Sequence, residues 1–97
     1  TAIMIADEIN HALDDKYQFM YDRHSIRHPR GKNEIGIHTI RGGTIVGEHE
    51  VIFAGHDEVI SLTHSAASKE VFAVGSVNAA LFLNGKKKGL YAMKDLV

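Results

Sequence analysis

The sequence predicts an α+β domain in which helices cover one face of a mixed or antiparallel open sheet of about four strands. Apolar residues recur every three or four positions near the amino terminus and again after Ser68, which is typical of amphipathic helices. Between these two segments, apolar and polar residues alternate and glycine-rich turns interrupt them, which is typical of strands. The 97 residues are enough for one domain but not for two.

The first predicted helix covers residues 2–14 and ends at Asp14-Asp15-Lys16, without a glycine cap. Its apolar face consists of Ala2, Ile5, Ala6, Ile9 and Leu13. The second helix is predicted to begin at Lys69 with Ser68 as its N-cap, and to end at Asn84-Gly85. Gly75 is a point where this helix is expected to kink or start late.

The middle of the chain predicts an antiparallel meander of three strands over residues 35–41, 45–53 and 58–64. Residues 17–21 are aromatic-rich and are compatible with a further strand. Residues 22–34 contain the only proline and lack periodicity, so we expect a basic surface loop there.

Alternation within the second strand of the meander predicts a sheet with one dry face. The residues predicted on the dry face are Ile45, His49, Val51 and Phe53, with Glu48 and Glu50 on the other. Glu48 and His49 are expected to find polar partners across strands or subunits. The last residues, 89–97, are expected to form a short strand or a tail.

Composition excludes several classes of function. The net charge of −1 and the isoelectric point of about 6.6 give no support for a nucleic-acid partner. The absence of cysteine excludes disulfides and thiol chemistry and is compatible with the cytoplasm. No apolar run approaches the ~18 residues needed to span a bilayer, so no membrane partner is expected.

The residues by themselves show no complete catalytic set. The G-x-x-x-x-G at residues 42–47 is followed by Glu48-His49 instead of the lysine and hydroxyl of a phosphate loop. Neither G-x-G-x-x-G nor G-x-S-x-G occurs. The seven histidines lack the spacing of a metal site, although His49 and His64 lie on neighbouring predicted strands. A small anion- or metal-binding domain that uses the basic loop or the histidines remains an alternative.

An ordered set of motifs resembles the C-terminal domain of dihydrodipicolinate reductase (4-hydroxy-tetrahydrodipicolinate reductase). The matching residues are Arg41, Gly43, Gly47-Glu48-His49, Thr63-His64, Ala66, Ser68, Phe72-Ala73, Gly75, Gly89-Leu90-Tyr91, Met93 and Asp95. They keep the order and the spacing of the family pattern over nearly the whole chain.

The resemblance implies part of an oxidoreductase of lysine and diaminopimelate biosynthesis. Such an enzyme reduces a cyclic dicarboxylate, 4-hydroxy-tetrahydrodipicolinate, to tetrahydrodipicolinate with NADPH or NADH. The family has a Rossmann domain that binds the cofactor and a C-terminal domain that binds substrate and forms a homotetramer through its sheet. Residues 1–97 then correspond to the second domain alone, with residues 70–97 packed toward the absent nucleotide-binding domain.

The resemblance also implies where the site residues lie. The family motif E-x-H-H-x-x-K-x-D-A-P-S-G-T-A ends in the two residues that begin this chain, so the catalytic histidine and lysine are expected upstream of Thr1. Thr1 corresponds to a contact with a substrate carboxylate, and Lys69 and Phe72 to positions near the cofactor. Lys69 stands where some relatives have arginine. No metal is implied, and the chain alone is expected to be inactive. A non-enzymatic oligomerisation module is the alternative.

Overall fold

Two α-helices and four strands form the regular structure of the computed structural model, which describes all 97 residues. The elements are α1 (Ala2–Ala12), β1 (Gln18–Met20), β2 (Glu34–Gly36), β3 (Gly47–Ala54), β4 (Val59–Ala66), α2 (Glu70–Leu83) and a 3-10 helix (Met93–Asp95). This mixture confirms the α+β class. The chain divides into two units, Thr1–Gly43 and Thr44–Val97.

Helix α1 forms the amino-terminal part of the first unit and shows the predicted amphipathic face. Ala6 is buried, and Ile5 and Ile9 are half-buried, whereas Ala2 and Leu13, predicted on the same face, are exposed. The helix ends two residues earlier than predicted. Asp14 and Asp15 follow it with φ values of 62° and 54°, a left-handed conformation that aspartate tolerates better than most non-glycine residues.

Asn10 joins the end of α1 to the segment that leads into β1. Its side-chain amide nitrogen donates to the Tyr17 carbonyl at 3.0 Å, and its side-chain oxygen accepts from the Tyr17 N–H at 2.9 Å. These two bonds satisfy the hydrogen-bonding groups of the half-buried Asn10 side chain, and they resemble the paired backbone bonds between two strands. They account for a polar residue that the helical pattern alone assigns to the solvent side.

Strands β1 and β2 pair in parallel, with Phe19 opposite Ile35. The connection of residues 21–33 is long enough to return the chain for parallel pairing. The predicted meander is therefore wrong in its first strand, which is confined to Glu34–Gly36 and pairs with β1 instead of β3. The four strands also form two separate two-stranded sheets and not one open sheet.

Strands β3 and β4 form the predicted antiparallel hairpin in the second unit. The register places His49 opposite His64 and Val51 opposite Leu62. Asp57 adopts a left-handed φ of 60° in the turn, where the Gly55 N–H donates to the Glu58 carbonyl at 2.9 Å. The alternation predicted for the second strand is confirmed from Gly47 to Val51, where every other residue is half-buried. It does not extend to Phe53, which was predicted on the dry face and is 42% exposed, and Ile45 precedes the strand.

Helix α2 is continuous from Glu70 to Leu83, so Gly75 does not interrupt it. The Ser68 hydroxyl accepts the Glu70 N–H at 3.1 Å, but the helix begins at Glu70 with Lys69 as its N-cap, one residue later than predicted. Asn84 ends the helix, and Gly85 follows with a φ of 77°.

The residues after α2 fold back on its end instead of forming a strand. The Tyr91 ring packs edge-on against Phe82 with a centroid distance of 6.1 Å, and its hydroxyl donates to the Lys87 carbonyl at 2.7 Å. The Lys86 ammonium lies 4.3 Å from the centre of the Phe82 ring, a cation–π geometry.

Very little of the chain is buried. Only Ala6 and Ala66 fall in the buried class, and none of the residues of α2 does. The accessible surface is 8894 Å². Two compact units of these lengths, taken separately, would expose only about 6,600 Å² in total. Roughly 2,300 Å² more surface is therefore exposed than in well-packed units of this size.

Candidate functional site

Thr1 occupies the N-cap position of α1 and is exposed. Its carbonyl accepts the Ile5 N–H at 3.0 Å, while its side chain makes no capping hydrogen bond. Within residues 1–97, the Thr1 hydroxyl has no hydrogen-bond partner. An anion is favoured there because unpaired N–H groups and the helix dipole both present partial positive charge.

Lys69 and Phe72 lie together at the start of α2, within the second unit. Lys69 is the N-cap residue, and its carbonyl accepts the N–H groups of Phe72 at 3.1 Å and Ala73 at 3.3 Å. The Phe72 ring lies in the first turn and is 53% exposed. The junction thus presents a cation and an aromatic face, side-chain types that suit a phosphate and a planar ring respectively.

The Phe72 ring contacts His64 of β4. The two ring centroids are 6.4 Å apart, and the ring planes are inclined by 56°. His64 lies directly opposite His49 in the β3–β4 ladder. Sequence reasoning anticipated that the two histidines would be neighbours, but it missed the contact with Phe72, which joins different elements.

The opposite face of the hairpin carries a polar pair. The Ser65 hydroxyl donates to a Glu48 carboxylate oxygen at 3.0 Å, and these two residues are partners in the ladder. Glu48 therefore has a partner across strands, as the sequence led us to expect. Both side chains are exposed, so the pair stabilises the hairpin only weakly.

The basic loop of residues 22–33 is organised by two acidic residues. Arg23 forms an ion pair with Glu34, and the two side chains are only 25% and 14% exposed. Asp22 accepts the Ser25 hydroxyl and the His24 N–H, the latter at 2.8 Å. These bonds lower the pKa of the Asp22 carboxyl from its ordinary value of 3.8, the Ser25 hydroxyl being the larger cause.

A shallow depression of about 340 Å³ lies between this loop and β1. Its lining is polar and consists of Lys16, Gln18, Gly31, Lys32, Asn33 and Glu34. Lys16 already pairs with Asp14 at 2.7 Å, and Glu34 adds a carboxylate. The lining therefore has little net attraction for an anion.

No three histidine or acidic side chains lie close enough together to hold a metal ion. His49 and His64 are partners in the ladder without a third ligand, whereas a structural zinc site has four. None of the helices has the length and apolar character needed to cross a membrane.

The features on these elements are an anion-compatible helix start and an exposed aromatic–cation junction. The family model described as "Dihydrodipicolinate reductase, C-terminus" matches residues 1–97. The chain belongs to this family, which confirms the resemblance carried by the sequence motifs.

Several curated relatives are similar over all or most of the chain. The 4-hydroxy-tetrahydrodipicolinate reductase of Caldanaerobacter subterraneus subsp. tengcongensis is 59% identical over 97 residues, which is 100% of this chain and 39% of the relative. That of Clostridium novyi is 50% identical over 97 residues, 100% of this chain and 38% of the relative. That of Staphylococcus aureus is 54% identical over 85 residues, 88% of this chain and 35% of the relative. The chain thus spans about two-fifths of the length of these relatives.

Proposed function

We propose that this chain is the substrate-binding and oligomerisation domain of a 4-hydroxy-tetrahydrodipicolinate reductase in the lysine and diaminopimelate pathway. The observation that carries the proposal is the family match over residues 1–97, together with relatives of that name at up to 59% identity. The complete enzyme reduces its cyclic dicarboxylate substrate in the cytoplasm. NADPH or NADH supplies the hydride and is bound mainly by a nucleotide-binding domain outside this chain.

Thr1 is assigned to one carboxylate of the substrate. Its side chain makes no capping bond, and the adjacent first turn of α1 carries unpaired N–H groups. A hydroxyl and backbone N–H groups together suit a carboxylate, because each donates a hydrogen bond to a charged acceptor. Thr1 thereby orients the substrate, while the proton donor is a residue upstream of it.

Lys69 and Phe72 are assigned to the cofactor side. The half-exposed Phe72 ring offers an apolar face to the planar nicotinamide, and Lys69 offers a positive charge to the phosphates. Their position at one helix start lets both act on the same ligand. The hydride donor itself is held chiefly by the other domain, because this chain lacks a dinucleotide-binding loop of its own.

The bare apolar surfaces support assembly into a homotetramer through the hairpin and packing of residues 70–97 on the nucleotide-binding domain. The excess exposed area of roughly 2,300 Å² exceeds the ~800 Å² that each partner contributes to a standard interface. There is thus room for more than one interface per chain. The exposed apolar residues of α2 are Val71, Phe72, Val74, Val77, Leu81 and Leu83.

The test uses the full-length protein that carries this chain, assayed by nicotinamide absorbance with the cyclic dicarboxylate. Thr1→Val removes the hydroxyl at nearly constant volume, and Thr1→Ser is the matched control that keeps it. We expect Thr1→Val to raise the KM for the dicarboxylate roughly 10- to 100-fold, the effect of losing a hydrogen bond to a charged group. The KM for the nicotinamide cofactor should not change.

Two results would contradict the proposal. A full-length protein that oxidises neither NADPH nor NADH with this substrate rules out the reductase. If the threonine, serine and valine proteins are equally active, the substrate contact assigned to Thr1 is ruled out, but the reductase function is not. The coding sequence upstream of Thr1 separates the reductase from an oligomerisation module, since only the reductase requires the H-H-x-x-K motif and a Rossmann unit there.

A further inference from the structure

The contact between His64 and Phe72 has the geometry of a specific aromatic pair. Its centroid distance of 6.4 Å lies within the range of about 4.5–7 Å in which inclined rings attract each other. Phe72 is 53% exposed, and its one aromatic contact is with His64. The orientation of this exposed ring therefore depends strongly on the imidazole beside it.

His64 is well suited to hold another side chain in place. It lies near the middle of β4, in a ladder of eight residue pairs with β3. His64 is itself exposed, while its ladder partner, His49, is half-buried. Side chains opposite each other in such a ladder are close enough to restrict each other's rotamers.

We propose that His64 is a positioning residue that holds the Phe72 ring at the angle needed to receive the nicotinamide. This inference rests on the proposed function, in which Phe72 contacts that ring. His64 itself does not contact the cofactor. It acts by limiting the rotamers of Phe72 before binding, so that less conformational freedom is lost when the cofactor arrives.

The experiment compares four forms of the full-length protein: wild type, His64→Leu, Phe72→Leu and the double variant. We expect His64→Leu to raise the KM for the nicotinamide cofactor roughly two- to ten-fold, the range of one aromatic pair. The KM for the dicarboxylate should stay constant. The effect should vanish in the Phe72→Leu background, because the ring that His64 holds is then absent.

Two further variants separate positioning from general damage to the hairpin. His64→Phe keeps an aromatic ring and should restore most of the cofactor affinity. His49→Leu changes the facing position in the ladder, which restricts His64 but forms no aromatic pair with Phe72, and should raise the cofactor KM less than His64→Leu does. Thermal unfolding of each variant checks that it is folded; if His64→Leu is not, His64→Asn takes its place.

Each outcome decides for or against the positioning role. Additive effects of His64→Leu and Phe72→Leu overturn it, as does an equal effect of His49→Leu. A Phe72→Leu protein with unchanged cofactor KM overturns both the cofactor assignment of Phe72 and the role of His64. A wild-type protein without reductase activity overturns the proposed function and this inference together.

Discussion

Replacing Leu62 with aspartate tests whether the apolar face of the β3–β4 hairpin is an interface between copies of the chain. Leu62 lies in β4 opposite Val51, and Ile60 and Phe53 form the next pair on the same face. Leu62 is 61% exposed in the single chain. If this face remains in water, the substitution should change stability by no more than about 0.5 kcal/mol.

The expected cost is much larger if a sister chain covers Leu62. Full burial of a leucine side chain contributes about 1.5–3 kcal/mol, so covering its remaining exposed part contributes about 1–2 kcal/mol per copy. Placing an unpaired carboxylate there costs several kcal/mol more. A total of about 3 kcal/mol or more weakens association at least ~100-fold at each interface.

Light scattering coupled to size-exclusion chromatography measures the effect over a range of concentrations of the full-length protein. Wild type should elute as a tetramer and Leu62→Asp as smaller species. The control is Ile40→Asp, which changes a residue that is 86% exposed and lies outside the regular elements. A Leu62→Asp protein that assembles as wild type does would show that this face of the hairpin is not the interface.

Three further substitutions test the first unit. Asn10→Ala should lower the free energy of unfolding by about 1–3 kcal/mol in chemical denaturation, because two half-buried hydrogen bonds are lost; no change would mean that these bonds do not hold α1 to β1. Gly31→Ala would place a methyl group 2.7 Å from a Glu34 carboxylate oxygen, which the ion pair with Arg23 holds in place. It should cost about 1–2 kcal/mol more than Gly42→Ala, which meets nothing within 4 Å, because Glu34 must shift away from its partner. Both alanines restrict the unfolded chain equally, so equal stabilities would refute the steric argument. The Asp22 pKa is lowered in the folded protein, so its stabilising effect is present above 3.8 and lost as pH falls through the lowered pKa. Amide shifts in the loop should report this titration by NMR, and Asp22→Asn should abolish it while keeping the acceptor for the backbone.

The elements with local signals were predicted well. Helix α2 has a serine at its start and Asn84-Gly85 at its end, so its length follows from neighbouring residues. The β3–β4 hairpin has a short turn and clear alternation, which set its pairing. The kink or late start expected at Gly75 is wrong, since a single glycine in a helix costs only about 1 kcal/mol and does not by itself cause a kink.

Strand pairing over longer distances was not predictable. Residues 35–41 alternate as a strand does, but alternation does not say which strand will be the neighbour. In the structure Ile35 pairs with Phe19 in a parallel ladder, and the segment after Ile37 pairs with nothing. The predicted meander assumed that consecutive strands are neighbours, which is common but not obligatory.

The candidate site likewise combines residues that the sequence predicts with a contact that it does not predict. Thr1, Lys69 and Phe72 were named because their motifs resemble a family, and their positions at two helix starts agree with the helical patterns around them. No sequence pattern predicts the contact between His64 and Phe72, because the distance between the two rings depends on how β4 and α2 pack together.

The sequence by itself determined the α+β class, the two helices, the hairpin and membership of the reductase family. These follow from periodicity, capping residues and motif order, which are local properties of the chain. Only the tertiary structure decided that the strands form two sheets, that Asn10 joins α1 to β1, and that His64 contacts Phe72. Such pairings depend on which surfaces meet when distant segments fold, and that choice is made by the free energy of the whole arrangement rather than by any one segment.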